Sequence, residues 1–334
     1  MKALVSTKVG GPETLELMEL DDPVARSGDL LVRILACGVN YPDVLIIEDR
    51  YQHKPARPFA PGGEICGVVE GVGEGVQGWS VGDRLIAVLG VGGMAEKIVV
   101  PAVLAVPLPA DRDSHEAAAL LLTYATSLHA LADRGQLKPG ETLLVLGAAG
   151  GVGLAAIEIG KAMGARVVAA VSSEDKKAAA LAAGADSAVI YGRGPFSVEE
   201  SKALGQTLKE AVGNGGADVV YDPVGGDYCE PAFRTLAWGG RYLVVGFPAG
   251  IPKLPLNLTL LRGSDVRGVF WGAFAARDPE ANHAHVKQLI AWWREGRIKP
   301  KVGGTWNLQD GGKAIAWLAG RHAIGKAVVT IAAA

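Results

Sequence analysis

Over the first 110 residues, apolar positions fall in short runs. Leu30-Leu31-Val32-Arg33-Ile34-Leu35 and Lys97-Ile98-Val99-Val100 are set apart by Gly, Pro and Asp punctuation, and Gly71-Val72-Gly73 and Val81-Gly82-Asp83 read as tight turns. Close-spaced strands with weak helical periodicity predict a small, strongly bent antiparallel barrel. From Ser114 to Asp133 the apolar residues recur at helical spacing, and Lys138-Pro139-Gly140 closes that region. An apolar strand, Thr142 to Leu146, then runs into Gly147-Ala148-Ala149-Gly150-Gly151-Val152-Gly153. A helix from about Leu154 to Met163 and a second buried strand, Arg166 to Val171, complete a βαβ unit, the crossover that a parallel strand pair requires. Asp218–Asp222 and Arg241–Val245 read as further strands of the same sheet. Near the end, a helix over His283–Arg294 places Val286, Leu289, Ile290 and Trp293 on one face, and a strand from Lys326 to Ile331 is expected to rejoin the first domain.

Composition narrows the class. A chain of 334 residues predicts about two domains. A hydrophobic fraction of 49% excludes a disordered chain, and a net charge of −2 gives no basic footprint for nucleic acid or anionic lipid. Forty-six glycines imply many tight turns and at least one close approach of backbone to a ligand. Three cysteines without a CxxC pair exclude a disulfide framework and point to the cytoplasm. The segment MKALVSTKVGG lacks the apolar core of a signal peptide. The longest uncharged stretch, Thr142–Ile157, is too short and too glycine-rich to span a bilayer.

The glycine-rich turn carries the first chemical reading. Where a dinucleotide fingerprint has Gly-x-Gly-x-x-Gly, this chain has Ala148-Ala149-Gly150-Gly151-Val152-Gly153. Ala149, Gly150, Gly151 and Val152 are expected to present backbone to a pyrophosphate, and Gly153 to let the helix pack on the sheet. The second strand ends in Val171-Ser172-Ser173-Glu174-Asp175-Lys176, without the carboxylate at the strand tip that accepts from an NAD ribose. Ser173 and Lys176 suit a 2′-phosphate, so the expected cofactor is NADP(H). Glu174 and Asp175 fall in the first turn of the following helix, where acidic residues favour the dipole.

Cys37-Gly38-Val39-Asn40, Pro61-Gly62-Gly63-Glu64, the Leu146–Gly153 turn, Val220-Tyr221-Asp222-Pro223-Val224-Gly225-Gly226, Val245-Gly246-Phe247 and Gly325-Lys326 occur together. In these the chain resembles the medium-chain dehydrogenase/reductase superfamily, and within it the NADPH:quinone oxidoreductase (zeta-crystallin-like) branch. The resemblance implies an α/β fold: a GroES-like β-barrel catalytic domain, residues 1–123 and 265–334, and a Rossmann doubly wound parallel sheet, residues 124–264. It implies a homodimer. It also assigns residues. Asn40 lies near the nicotinamide and its ribose, the alternative being a turn-forming Asn. Thr126 approaches the cofactor phosphate or ribose, or else caps a helix. Tyr191 stands beside the 2′-phosphate, or else packs in a strand. Phe247 and Ala249 contact nicotinamide through backbone, Phe270 and Gly272 wall the site or join the core, and Lys326 belongs to the cofactor set.

Zinc alcohol dehydrogenases of this superfamily hold a catalytic metal with two Cys and a His. The matching positions here are Asn40, Gly63 and the Leu120–Thr126 segment, which has no Cys. No metal is therefore expected, Cys37 reads as a packed thiol, and reduction of an electrophilic small molecule becomes the natural chemistry. The implied activity is hydride transfer from NADPH to a quinone or an α,β-unsaturated carbonyl. Tyr51 matches a pocket tyrosine, and Leu45 stands where some relatives carry a second one. His53 reads as an exposed loop residue and Asp43 as a helix cap. An enoyl(-CoA) reductase, with Lys54, Arg57 or Arg262 on its rim, and a non-catalytic NADPH-binding protein are the alternatives.

Overall fold

The computed structural model describes residues 1–332. It divides into two compact units, Met1–Leu122 with the chain from Pro300, and Thr123–Lys299. In chain order the first unit opens with β1 (Lys2–Ser6), β2 (Leu15–Glu19), β3 (Asp29–Val39), β4 (Glu64–Val72), β5 (Arg84–Val88), β6 (Lys97–Pro101) and β7 (Val106–Pro107). The second unit holds β8 (Thr142–Leu146), β9 (Arg166–Val171), β10 (Ser187–Ile190), β11 (Ala217–Asp222), β12 (Leu236–Val244) and β13 (Asp265–Gly268), and the chain returns through β14 (Val302–Asn307) and β15 (Lys326–Thr330).

In the first unit β14-β15-β3-β4-β5-β7 form one sheet, with β6 also on β3 and every pair antiparallel except β14 with β15. Strand β3 is shared along its length: Asp29–Arg33 pair with β6 and Ala36–Val39 with β15. Two register shifts against β4, at Leu31/Val32 and Ile34/Ala36, give it the bend that this sharing requires. Leu30, Val32 and Ile34 alternate onto one side and pack with Ile65, Val69, Leu85 and Val100. The expected strand Lys326–Ile331 rejoins this unit as β15.

The second unit is a six-stranded parallel sheet in the order β10-β9-β8-β11-β12-β13, the doubly wound order in which the sequence direction reverses between β8 and β11. Leu143–Leu146 and Val167–Val171 are all buried, as strands covered on both faces must be. The segment 265–299, expected to join the first domain, packs in the second. Strand β13 pairs in register with β12, from Arg241↔Asp265 to Val244↔Gly268, and Trp293 of helix Pro279–Arg294 is 2% exposed. On that helix Trp292 is buried in place of the expected Ile290. The Ser114–Asp133 region, read as one helical stretch, divides into Ser114–Ala117, Leu121–Leu128 and a π-turn over His129–Arg134. No helix among the described residues is long and apolar enough to cross a membrane.

Glu158 ties the two ends of the second unit. Its Oε2 accepts from the Tyr124 hydroxyl at 2.8 Å and from the Lys299 amide at 2.8 Å. Burial pushes its carboxyl up to about 7, above the ordinary 4.5. The folded chain thus holds this proton more tightly than the unfolded one. The contribution is complete below about pH 4.5 and is lost as pH rises through about 7. Glu158→Gln, which keeps an oxygen acceptor without the charge, is expected to exceed the parent in stability by roughly 1–2 kcal/mol at pH 8 and to match it at pH 5. Denaturant titrations at both pH values check this, and an equal difference at the two contradicts it.

Candidate functional site

At the end of β8 the chain turns on Gly147, whose φ of +56° lies in the left-handed region. Helix Gly151–Ala162 then begins three residues earlier than its apolar periodicity indicates. Its N-cap, Gly150, makes no side-chain capping bond, so the first-turn amides keep their capacity for an external anion. Gly153 has a steric reason. A Cβ there meets the Gly147 carbonyl oxygen at 2.5 Å and Ala148 Cα at 2.7 Å, both rigid backbone. Ser127, in helix Leu121–Leu128, donates to the Val152 carbonyl at 3.1 Å, one residue beyond the half-buried Thr126.

Beside this turn lies a pocket lined by Gly147, Ala149, Gly150, Val171, Ser172, Lys176 and Tyr191. Four of the expected cofactor residues, Ala149, Gly150, Lys176 and Tyr191, are thus brought together. Ser173 is not among the lining residues: its hydroxyl caps helix Glu174–Ala182 by accepting from the Lys176 amide at 3.4 Å. The neighbouring Ser172 lines the pocket instead and accepts from Lys176 Nζ at 3.3 Å. Tyr191 is buried, and its hydroxyl accepts the Gly147 N–H at 3.2 Å.

At the carboxyl ends of β11 and β12 two loops interlock. Buried Asp222 accepts from the amides of Val224 and Gly225, at 2.8 and 2.9 Å, and from the Tyr242 hydroxyl at 2.5 Å. Gly225 and Gly226, both at positive φ, leave room for the 247–249 segment, since a Cβ on them falls 2.6 Å from Phe247 Cβ and from the Ala249 carbonyl. Ala249 N–H donates to Val224 and Gly226 N–H to Gly250, which fixes the loop carrying Phe247 and Ala249. Phe247 is left 48% exposed. Phe270 is also exposed and caps helix Trp271–Arg277, whose Gly272 is exposed as well.

The first unit contains a buried polar cluster. Lys326 Nζ donates to Asn40 Oδ1 at 2.5 Å and to Glu64 Oε2 at 2.8 Å. Asn40 Nδ2 donates to the same Glu64 oxygen at 2.9 Å, and Glu64 Oε1 accepts the Leu122 amide at 2.9 Å. All three side-chain bearers are at most 5% exposed. Asp43 closes the cluster as the expected helix cap, accepting from the amides of Asn40 and Gly62, and burial lifts its carboxyl to about 6. Cys37 lies against Gly62 and Gly93 with its thiol pushed up by burial, a packing residue as expected. Tyr51 is half-buried, its hydroxyl raised by burial and then by the Asp43 carboxylate. Arg57 and Arg262, candidates for an acidic-substrate rim, are committed elsewhere: Arg57 to Ser6, Asp49 and the Ile47 carbonyl, and Arg262 to the Leu236 carbonyl.

Comparison with known proteins agrees with this architecture. Residues 26–110 match the alcohol dehydrogenase GroES-like domain family, and residues 151–291 the zinc-binding dehydrogenase family. The chain is 35% identical over 305 residues to quinone oxidoreductase-like protein 2 of Bos taurus, covering 91% of this chain and 85% of that one. It belongs to the quinone oxidoreductase branch of the medium-chain dehydrogenase/reductase superfamily. Among solved structures, the quinone oxidoreductase of Thermus thermophilus, described also in complex with NADPH, is 35% identical at a TM-score of 0.80, covering 99% of this chain and 100% of that one. A structure described as an NAD-dependent alcohol dehydrogenase is 30% identical at a TM-score of 0.89, covering 99% of this chain and 100% of that one. The chain is therefore an oxidoreductase of this superfamily.

A zinc-binding family raises the question of a metal, and the residues here do not fit one. Gly63 has no side-chain ligand atom, and its carbonyl oxygen already accepts the Leu89 amide. Asn40 already uses Nδ2 and Oδ1 within the cluster, and the cation resting on the Asn40 and Glu64 oxygens is the Lys326 ammonium. Among the described residues no group of three His, Cys, Asp or Glu is placed to hold a metal ion. Glu64 and Ser172, central to these two loci, lie in the Pro61–Glu64 and Val171–Lys176 segments, but the sequence does not single them out as site residues; their signal is a carboxylate at the start of an apolar strand and a hydroxyl directly at a strand end. Lys326→Met strands a buried carboxylate and is expected to lower stability by about 3–5 kcal/mol, with Glu64→Gln in the same chain recovering most of the loss. Denaturation midpoints of the single and double variants decide it; an additive loss contradicts the pairing.

Proposed function

We propose that the protein is an NADPH-dependent, zinc-independent reductase of quinones or α,β-unsaturated carbonyl compounds. The observation that carries the reading is the pocket that joins the Gly147–Gly153 turn to Ser172, Lys176 and Tyr191. The uncapped helix end suits a pyrophosphate, and a lysine and a hydroxyl at the end of β9, with no carboxylate at the strand tip, suit a ribose 2′-phosphate. Ala149, Gly150, Gly151 and Val152 supply backbone to the pyrophosphate, Thr126 a hydroxyl near it, and Phe247 and Ala249 backbone contacts to the nicotinamide. When bound, the dihydronicotinamide supplies a hydride from C4.

The chain's own task is orientation. Asn40 presents an amide whose rotation is fixed on both sides, by Glu64 and by Lys326. Tyr51 offers a hydroxyl to the acceptor carbonyl; with its acidity suppressed by burial, it serves as a hydrogen-bond donor. The Lys326 ammonium offsets the charge of the Glu64 carboxylate on which Asn40 rests. No group of the cluster is spare for a metal, which favours acceptors that are electrophilic without one.

The same reading puts the protein in the cytoplasm, in keeping with three buried free thiols, and makes it a homodimer. Trp238, Leu256, Leu260, Leu261 and Val266 are all exposed apolar residues on or near the edge strand β13 and its neighbour β12, and an exposed apolar edge calls for a partner. A solution mass of one chain instead of two rejects the dimer.

The function is tested by titrating NADPH and NADH onto the protein and its Lys176→Ala variant, then following NADPH oxidation with quinones, simple enones and enoyl-CoA thioesters. The expected result is rapid turnover of a quinone or enone, with NADPH affinity lowered about 10- to 100-fold by the substitution and NADH affinity unchanged. Tight NADPH binding with no turnover of any acceptor favours a non-catalytic binding protein. Equal weakening of both nucleotides removes Lys176 from phosphate recognition.

A further inference from the structure

Behind the phosphate turn runs a short chain of buried hydroxyls. Ser127 Oγ lies 3.1 Å from the Val152 carbonyl oxygen and 2.9 Å from the Tyr221 hydroxyl. A carbonyl oxygen only accepts, so the Ser127 proton goes to Val152, and Ser127 in turn accepts from Tyr221. Tyr221 suits that part: burial pushes its hydroxyl up from the ordinary value of 10, so it keeps its proton to donate. Ser127 and Tyr221 are both 0% exposed, and neither lines the pocket that holds Ser172 and Lys176. With no exposed surface, neither side chain touches a bound nucleotide, and the Ser127 proton is already spent within the protein.

The chain of hydroxyls starts where the parallel sheet reverses its sequence direction. Tyr221 of β11 pairs in register with Val145 of β8, two residues before Gly147. Through Ser127 on helix Leu121–Leu128 it reaches Val152, the second residue of helix Gly151–Ala162. That helix begins on a glycine N-cap without a side-chain bond, so its first turn has no cap of its own to hold it. The Val152 carbonyl and the Gly153 amide belong to one planar peptide unit. Fixing the oxygen therefore fixes the direction of the amide, and a hydrogen bond at the oxygen polarises the N–H. The Gly153 amide is among the first-turn donors that find no carbonyl within their own helix.

We infer that Ser127, held by Tyr221, is a positioning residue for the first turn of helix Gly151–Ala162 and sets the affinity for the pyrophosphate common to nicotinamide dinucleotides. The inference rests on the dinucleotide-binding reading of this turn. It places the control of pyrophosphate affinity behind the turn, on residues that meet no ligand, and leaves the 2′-phosphate to the pocket wall.

The test is equilibrium binding of NADPH, NADH and adenosine 2′-monophosphate, which has no pyrophosphate, to Ser127→Ala, Tyr221→Phe and the double variant. Ser127→Ala is expected to weaken NADPH and NADH by the same factor, about five- to tenfold, and to leave adenosine 2′-monophosphate unchanged. Tyr221→Phe is expected to weaken both dinucleotides about two- to threefold, and the double variant to match Ser127→Ala, because Tyr221 acts only through Ser127. Tyr221→Phe keeps the aromatic ring and the Ser127–Val152 bond, and it carries the test if Ser127→Ala does not fold. Equal weakening of all three ligands shows a general disturbance of the unit and overturns the inference. Weakening of one dinucleotide alone, unchanged affinities, or additive losses in the double variant overturn it as well. If the parent protein binds neither dinucleotide, the dinucleotide reading itself fails, and this inference with it.

Discussion

A carboxylate that is 1% exposed must find a counter-charge, and Glu64 finds it in Lys326, 262 residues away along the chain. This pairing sets the first unit. It joins the start of β4 to the start of β15, takes in Asn40 where β3 ends, and holds the Leu122 amide at the last residue before the chain enters the second unit. Four segments separated in sequence converge on one carboxyl group. Each hydrogen bond there is made inside a low-dielectric interior, where an unmatched partner is costly and a matched one fixes geometry. The arrangement also bears on the chemistry proposed above. The position at which zinc dehydrogenases of this superfamily carry a metal ligand holds an amide here, and the local positive charge is an ammonium. A cation that cannot accept a lone pair orients and neutralises, but it does not act as a Lewis acid.

The second unit answers a different demand, that of bringing backbone close to an anion. Its glycines work by absence. Gly153 admits the preceding turn, and Gly225 and Gly226 admit the 247–249 loop; in each case the nearest atoms to an added Cβ are backbone or Cβ atoms that cannot swing aside. Hydrogen bonds accepted by Tyr191 and Asp222 and donated by Ser127 then hold these turns from behind. Rigid support beneath a small-residue surface is what lets amide groups face a ligand at fixed spacing.

Much of this was legible in the residues. The strand, Gly147–Gly153 turn, helix and strand of the βαβ unit stand out because parallel strands are apolar throughout and punctuated by glycine. The absence of a carboxylate at the end of β9 could be read directly. Less accessible were features made by distant partners. Segment 265–299 reads as mixed in character, and only its pairing of β13 onto β12 assigns it to the second unit. Ser172 and Ser173 are chemically alike in sequence; the helix N-cap, which takes Ser173, separates them. Tyr191 could be placed near the pocket, but its bond to Gly147 depends on the register of β9 against β10 and β8. Glu64 and Lys326 gave no local sign of being partners, since nothing in a one-dimensional pattern links residues so far apart.

Hydride transfer without a metal is the central claim, and isotope transfer in metal-depleted protein measures it most directly. NADPH carrying deuterium at both C4 positions is turned over with an α,β-unsaturated ketone after exhaustive chelation and confirmation that no zinc remains. The predicted result is undiminished turnover and one deuterium on the β-carbon of the reduced product. Loss of activity on chelation with recovery on added zinc, or product that carries no deuterium, contradicts it.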